Sequence, residues 1–292
     1  MTVTQQQRYS VAVTGGSIEV LIDQLACENS EGRASADPRI NLLCLHGWTL
    51  DSRSFTPQLA LASSQLRLVR YDRRSFGRNT LPPCFQTELD DLQAIMRSLS
   101  GPVVLWGVSQ GARLALRYWA AATAAETGAM PKPAGVISQG GHVDGLAIND
   151  PESDAIPFDR YRELLAQGDR ETFISEWGQH PLVTGGATPS QRAEMASLVD
   201  SYTGADLLSE GALPSPMDLR SALPHLQAPL LVVTGSQETP SRQHHGAYLV
   251  EQVPHAHMAT IAGGGHLCNV THAHAVNAEV RRWLSINSPR FE

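Results

Sequence analysis

The 292-residue chain has no uninterrupted apolar run approaching the roughly 20 residues a membrane-spanning helix requires, so the sequence offers no transmembrane candidate. It has no basic run either. Its 29 acidic residues outnumber 22 basic ones, giving a formal net charge of -7, and nucleic acid is therefore not an expected partner. Residues 1–10 are polar, and the first apolar stretch is interrupted by Gly15, Gly16 and Glu19, which does not match a secretion signal. Cys27, Cys44, Cys84 and Cys268 show none of the close paired spacings of a zinc site or a dithiol motif. Reduced thiols and a cytoplasmic location are the expectation. There is no internal repeat and no low-complexity tract, because the alanine cluster at 120–125 reads as a helix end.

A hydrophobic content of 42% is enough for a large core, and the length suits one α/β domain carrying an insertion. Two β-patterned runs at 9–13 and 18–22 flank Gly15 and Gly16 and predict an opening hairpin. Residues 28–38 read as a polar loop. Apolar runs then recur at 42–45, 66–71, 103–106, 136–138, 230–233 and 257–261. Such continuous Val/Leu/Ile runs suit strands buried on both faces, which predicts a mainly parallel sheet flanked by helices. Helical spacing appears at 87–99, 110–124 and 273–284. The interval between the strands at 136 and 230 is too long for an ordinary crossover, and residues 145–223 read as an inserted helical cap on a core of 1–144 and 224–292.

The strongest local signal is Gly107-Val108-Ser109-Gln110-Gly111, which follows an apolar strand and opens a helix. A serine on so tight a strand-to-helix turn projects from the sheet, and the flanking glycines remove side chains that would clash. An ordinary serine N-cap is the plain alternative for this pattern alone. Two further segments weigh against it. Leu45-His46-Gly47-Trp48 ends a strand in a loop whose backbone amide can face that of Gln110 around a developing oxyanion. Gly263-Gly264-Gly265-His266 follows the last strand, where a flexible glycine run lets the imidazole reach back to Ser109.

Taken in order, His46-Gly47, Asp72-Arg73-Arg74-Ser75-Phe76-Gly77-Arg78, the serine turn, the insertion and His266 resemble the α/β-hydrolase superfamily over nearly the whole chain, in its cap-bearing, carboxylesterase-like branch. The resemblance implies Ser109 as nucleophile, His266 as general base and the amides of Trp48 and Gln110 as the oxyanion hole. It also implies an acid after the penultimate strand, where this chain reads Gly235-Ser236-Gln237-Glu238 in place of Gly-x-x-Asp. Glu238 is the choice for that acid, with Asp144 as rival, since some relatives place the acid after the preceding strand. Ser75 and Asn79 stand where the family pattern has glycine and serine, which predicts a somewhat different loop there.

Arg113 lies one helical turn beyond Ser109 and is a candidate for steering a substrate carboxylate. Trp177 is a candidate lining residue within the insertion, against the plainer reading of core packing. His244, His245, His255, His257, His272 and His274 form no His-Glu-x-x-His pattern and read as solvated, so no metal is expected. Arg73, Arg74 and Arg78 read as a solvated loop or an anion site, and Cys268 as a small buried filler. The leading expectation is hydrolysis of a small-molecule carboxylic ester without a cofactor, with oligomeric state left open. The rivals are a lyase or carbon-carbon hydrolase similar to the pyruvate-eliminating menaquinone-pathway synthase, echoed by Gly111-Ala112-Arg113 and the tryptophan near Gln179 and Pro181, a cofactor-free oxygenase, and a non-catalytic ligand-binding scaffold.

Overall fold

The computed structural model of the chain describes residues 4–25, 40–147, 152 and 155–291, so Cys27 and the loop expected at 28–38 lie outside the described residues. Strands form where the apolar runs predict them. β1 (Thr4–Val13) and β2 (Gly16–Leu25) make the antiparallel hairpin, with Gly15 in the left-handed region at its turn, φ 86°. β3 (Ile40–Leu45), β4 (Leu66–Tyr71), β5 (Val103–Val108), β6 (Gly135–Gln139), β7 (Leu230–Gly235) and β8 (Ala256–Ile261) are mutually parallel. The sheet order is β1-β2-β4-β3-β5-β6-β7-β8, with antiparallel pairing confined to β1–β2 and β2–β4.

The period-two alternation of a strand divides each apolar run between two cores. Leu42, Val104, Ile137 and Leu231 enter one cluster, and their chain neighbours Leu43, Leu105, Val136 and Leu230 enter the other. The second cluster is covered by α1 (Thr87–Ser98) and α2 (Gln110–Ala124), which contribute Leu92, Ile95, Leu114 and Tyr118. Between β6 and β7 the chain leaves the sheet, and its described residues form five short α-helices, α3 (Phe158–Ala166), α4 (Arg170–Trp177), α5 (Pro181–Thr184), α6 (Pro189–Val199) and α7 (Ala205–Leu208), and a 3-10 turn at Leu223–His225. Their Tyr161, Phe173 and Trp177, with Tyr202 between α6 and α7, join Trp48 and Trp106 in the first cluster. The insertion therefore packs on the face where the loop after β3 emerges. α8 (Pro240–Gln252) follows β7, and α9 (Cys268–Thr271) and α10 (Ala273–Asn287) follow β8. Among the described residues no helix is long and apolar enough to cross a membrane.

Candidate active site

Ser109 sits between the last residue of β5 and the first of α2, at φ 54° and ψ -116°, in a region that L-residues rarely adopt. The surrounding glycines explain how the chain holds it there. A Cβ on Gly107 would overlap the Ala112 backbone, and one on Gly111 would lie 2.6 Å from the His46 carbonyl oxygen. The helix can start this close to the strand only without those atoms. The Ser109 amide donates to the Gln139 carbonyl at 2.7 Å, which anchors the turn to β6.

His266 arrives from the loop after β8 with Nδ1 2.7 Å from Glu238 Oε2, both side chains buried. Among the described residues Nε2 has no hydrogen-bond partner, so it is the ring nitrogen available as a base. The longer glutamate arm is accommodated because Glu238 Oε1 turns back to accept the Thr239 amide at 2.8 Å. Asp144, the rival acid, is engaged elsewhere: its carboxylate accepts from Arg113 Nε at 2.8 Å and Arg117 Nε at 2.6 Å, with no hydrogen bond to His266. Burial alone would raise the Asp144 pKa, but the two guanidiniums outweigh it and hold the carboxyl below its ordinary value.

The glycine run before His266 is close-packed, contrary to the expectation of a flexible reach. A Cβ on Gly265 would lie 2.9 Å from Gly185 Cα, and one on Gly235 would lie 2.7 Å from the Gly265 carbonyl. The run is small because the strand end and the insertion press on it from two sides. Gln139 secures the far end of this loop, donating through Nε2 to the His266 carbonyl and to Asn269 Oδ1, both at 2.9 Å.

Gly140 is a site component that the sequence analysis missed. At φ 59°, a Cβ there would lie 2.6 Å from His266 Nδ1 and 3.2 Å from Glu238 Oε2. Gly140→Ala is expected to lower kcat for any ester roughly 100-fold while leaving the fold cooperative, since displacing a catalytic group by about 1 Å costs about that much. Steady-state kinetics beside a melting curve checks this, and an unchanged kcat would contradict the packing.

On the other side of Ser109, Gly47 lies so close that a Cβ would stand 3.3 Å from Ser109 Cβ. Trp48 and Gln110 line the same cavity as Ser109, and the backbone amide of neither donates to another described backbone group. The loop is braced by His46, whose Nε2 accepts from the Arg73 amide at 2.9 Å, leaving the proton on Nδ1 to donate to the Gly47 carbonyl at 2.9 Å. Burial, reinforced by the Arg73 guanidinium, lowers the His46 pKa to about 4. The unfolded chain, with its ordinary value near 6.5, binds a proton between those limits that the fold excludes. Stability is therefore lost as pH falls through that window, by up to about 3 kcal/mol from this group. His46→Gln is expected to melt at a lower temperature at pH 7 yet to lose less between pH 6.5 and 4.5. Parallel melting curves for the two proteins would contradict it.

The reading of Arg73 and Arg74 as a solvated loop is corrected. Both are buried, Arg73 Nε reaching Glu88 Oε2 at 2.5 Å and Arg74 Nε reaching Asp91 Oδ2 at 2.5 Å, because α1 brings two carboxylates against the turn. Arg73 Nη1 also donates to the His46 carbonyl at 3.1 Å and to Gln110 Oε1 at 2.9 Å, tying the two amide-bearing segments together. Arg78 alone of the three is exposed, paired with Glu19. Ser75, which stands where the family pattern has glycine, lies in the left-handed region at φ 66°. His245 is also buried rather than solvated, its Nδ1 accepting from the Val143 amide at 3.0 Å. Burial pushes the Cys268 thiol up to about 12, as an inert filler requires.

These groups open into a cavity of about 420 Å³. Arg113 and Trp177 both line it, as do His142 and Arg242, which sequence reasoning overlooked. Arg242 stands four residues after Glu238, in the first turn of α8, and its Nη1 donates to the Gly140 carbonyl at 3.1 Å. The spacing that singled out Arg113 was the available signal for it. Most of the remaining wall is apolar, including Leu50, Ile156, Leu182 and Val183.

A parallel sheet with a strained serine between β5 and α2, and a histidine paired to an acid after β7, defines a hydrolase architecture. The chain belongs to the alpha/beta hydrolase family, whose sequence model matches residues 42–279. Among curated proteins, it is 30% identical over 264 residues to the pimeloyl-[acyl-carrier protein] methyl ester esterase of Xanthomonas oryzae pv. oryzae, covering 84% of this chain and 94% of that one. Among solved structures it is similar to a thermophilic esterase from Thermogutta terrifontis, with TM-score 0.72, 20% identity and coverage of 97% and 99%. MenH from S. aureus gives TM-score 0.70 at 17% identity, covering 88% and 97%. At those identities the structural likenesses speak to the fold.

Proposed function

We propose that the protein is a serine hydrolase that cleaves a small carboxylic ester through an acyl-enzyme on Ser109. The observation that carries the reading is one cavity lined by Ser109 on its strained turn, by His266, which Glu238 holds through Nδ1 and whose Nε2 has no partner among the described residues, and by Trp48 and Gln110, whose amides donate to no described backbone group. His266 Nε2 takes the Ser109 proton as Oγ attacks the carbonyl, and the amides of Trp48 and Gln110 stabilise the oxyanion. The protonated ring then gives that proton to the departing alkoxide, and the same base activates water to release the acid. Glu238 orients the ring and stabilises its charged form. The scheme needs no cofactor.

In this reading residues 145–223 act as the cap that sizes the pocket and excludes water. Trp177 forms part of its ceiling. Arg113 would hold a substrate carboxylate: Asp144 is shared by Arg113 and Arg117, so the three groups carry one net positive charge beside the cavity. The same residues would serve a lyase that abstracts a proton next to a carboxylate, and Arg113 is the observation favouring that second reading. The similarity to a carrier-protein ester esterase raises the question of a protein-borne substrate. The cap stretch contains 13 of the 29 acidic residues and 5 of the 22 basic ones. Arg160, Arg162, Arg170 and Arg220 are each already paired with an acid. An acidic carrier would meet repulsion there, which favours a free small ester.

A panel of methyl and p-nitrophenyl esters of rising acyl length, with and without a terminal carboxylate, tests the reading. Saturable turnover that peaks at one length and favours the carboxylate series is expected. Folded protein with no turnover above the blank would move the weight to the lyase or to a non-catalytic scaffold.

A further inference from the structure

Buried carboxylates are costly, and one of them has no part in the mechanism above. Asp206, in α7, is 4% exposed and lies against the aromatic cluster of Trp48, Phe173, Trp177 and Tyr202. Its Oδ2 accepts the Trp48 indole N–H at 2.9 Å, a proton shared with the Tyr202 hydroxyl oxygen at 3.1 Å, and its Oδ1 accepts the Tyr202 hydroxyl at 2.6 Å, so the carboxylate holds the indole both directly and through Tyr202. Burial, the largest influence on it, raises its pKa. A fold that only needed to fill this space would use an apolar side chain, because a buried polar group stabilises no more than a well-packed isostere.

The partner it holds is informative, since the backbone amide of Trp48 is one of the two oxyanion donors proposed above. Two further bonds run from the inserted segment to the same short loop, one from the end of α4 and one from the turn between α6 and α7. Trp177 Nε1 donates to Thr49 Oγ1 at 2.7 Å, and Ser201 Oγ donates to Asp51 Oδ2 at 2.7 Å. Thr49 stands at φ 64°, a conformation that persists only where the surroundings over-determine it. These bonds hold the loop from the side of the insertion, as the His46 and Arg73 contacts hold it from the side of the sheet.

We propose that Asp206 is a positioning residue for the oxyanion hole, fixing the Trp48 amide by anchoring its indole, so that the inserted helices set the rate of the chemical step and not only the size of the pocket. The proposal rests on the ester-hydrolase reading.

Asp206→Leu keeps the forked shape, with methyl groups bulkier than the oxygens they replace, and removes both carboxylate acceptors, whereas Asp206→Asn keeps an acceptor for the indole. On the best ester, Asp206→Leu is expected to lower kcat roughly 10- to 100-fold, less than deletion of an oxyanion donor, with KM within about threefold. The rate of inactivation by a fluorophosphonate, whose tetrahedral adduct also places an oxygen in the hole, falls in parallel. Asp206→Asn recovers kcat to within about threefold of the parent. Trp48→Phe keeps an aromatic ring and the backbone amide but loses the indole N–H. It shows the same loss as Asp206→Leu, and the double variant shows no more, which keeps the test decisive if Asp206→Leu does not fold. Folded variants with parental kcat and inactivation rate, or a loss confined to KM, would overturn the proposal. Activity that survives Ser109→Ala would overturn the ester-hydrolase reading itself, and this proposal with it.

Discussion

Ser109→Ala is expected to lower kcat on any ester by roughly 10⁴- to 10⁶-fold while leaving the melting temperature unchanged or raised. Removing Oγ ends covalent catalysis, and what remains is the contribution of binding and of the two amides. The serine also occupies a backbone conformation that costs of order 1–3 kcal/mol wherever an L-residue is held in it, and alanine bears the same cost without a hydroxyl to accommodate. The result separates a site built for chemistry from a serine serving as a helix cap. A cap would lose about 1 kcal/mol of stability on truncation, and Ser109 makes no side-chain capping bond. Stopped assays at high enzyme concentration, beside thermal melts, measure both quantities.

The second large effect distinguishes the two acids. Glu238→Gln is expected to lower kcat roughly 10³- to 10⁴-fold, because an amide facing Nδ1 favours the wrong tautomer and cannot stabilise an imidazolium. Asp144→Asn should instead leave kcat within about threefold. Its cost falls on stability and on KM, since two guanidiniums lose their shared carboxylate, and breaking a buried pair typically costs about 3–5 kcal/mol. The opposite pattern, with Asp144 controlling kcat, would require a loop arrangement in which it replaces Glu238 at His266.

Much of this site could be read in the sequence because its signals are local. Gly107, Ser109 and Gly111 are held within five residues by steric demands that the structure traces to Ala112 and the His46 carbonyl. The central strands were legible because a parallel sheet buried on both faces keeps β3 and β5 almost free of polar positions, whereas β4 carries Arg70, whose charge Asp23 meets from β2. Glu238 was readable only through its place in the order of elements, as its meeting with His266 depends on two loops 28 residues apart. Arg73 and Arg74 looked like loop because their partners, Glu88 and Asp91, lie on a helix whose docking no local pattern announces. Gly140 and Asp206 had no local signal at all. The first is required by a ring that arrives from β8, and the second by an indole that lies 158 residues earlier.

The central claim is that Ser109 forms the covalent intermediate, and the most direct measurement of it is the mass of the protein after brief reaction with a fluorophosphonate, followed by peptide mapping. One adduct per chain is expected, on the peptide containing Ser109, with loss of esterase activity in proportion to labelling and no adduct on Ser109→Ala or, at the same exposure, on His266→Ala. Stoichiometric labelling elsewhere, or full activity in a labelled protein, would contradict it.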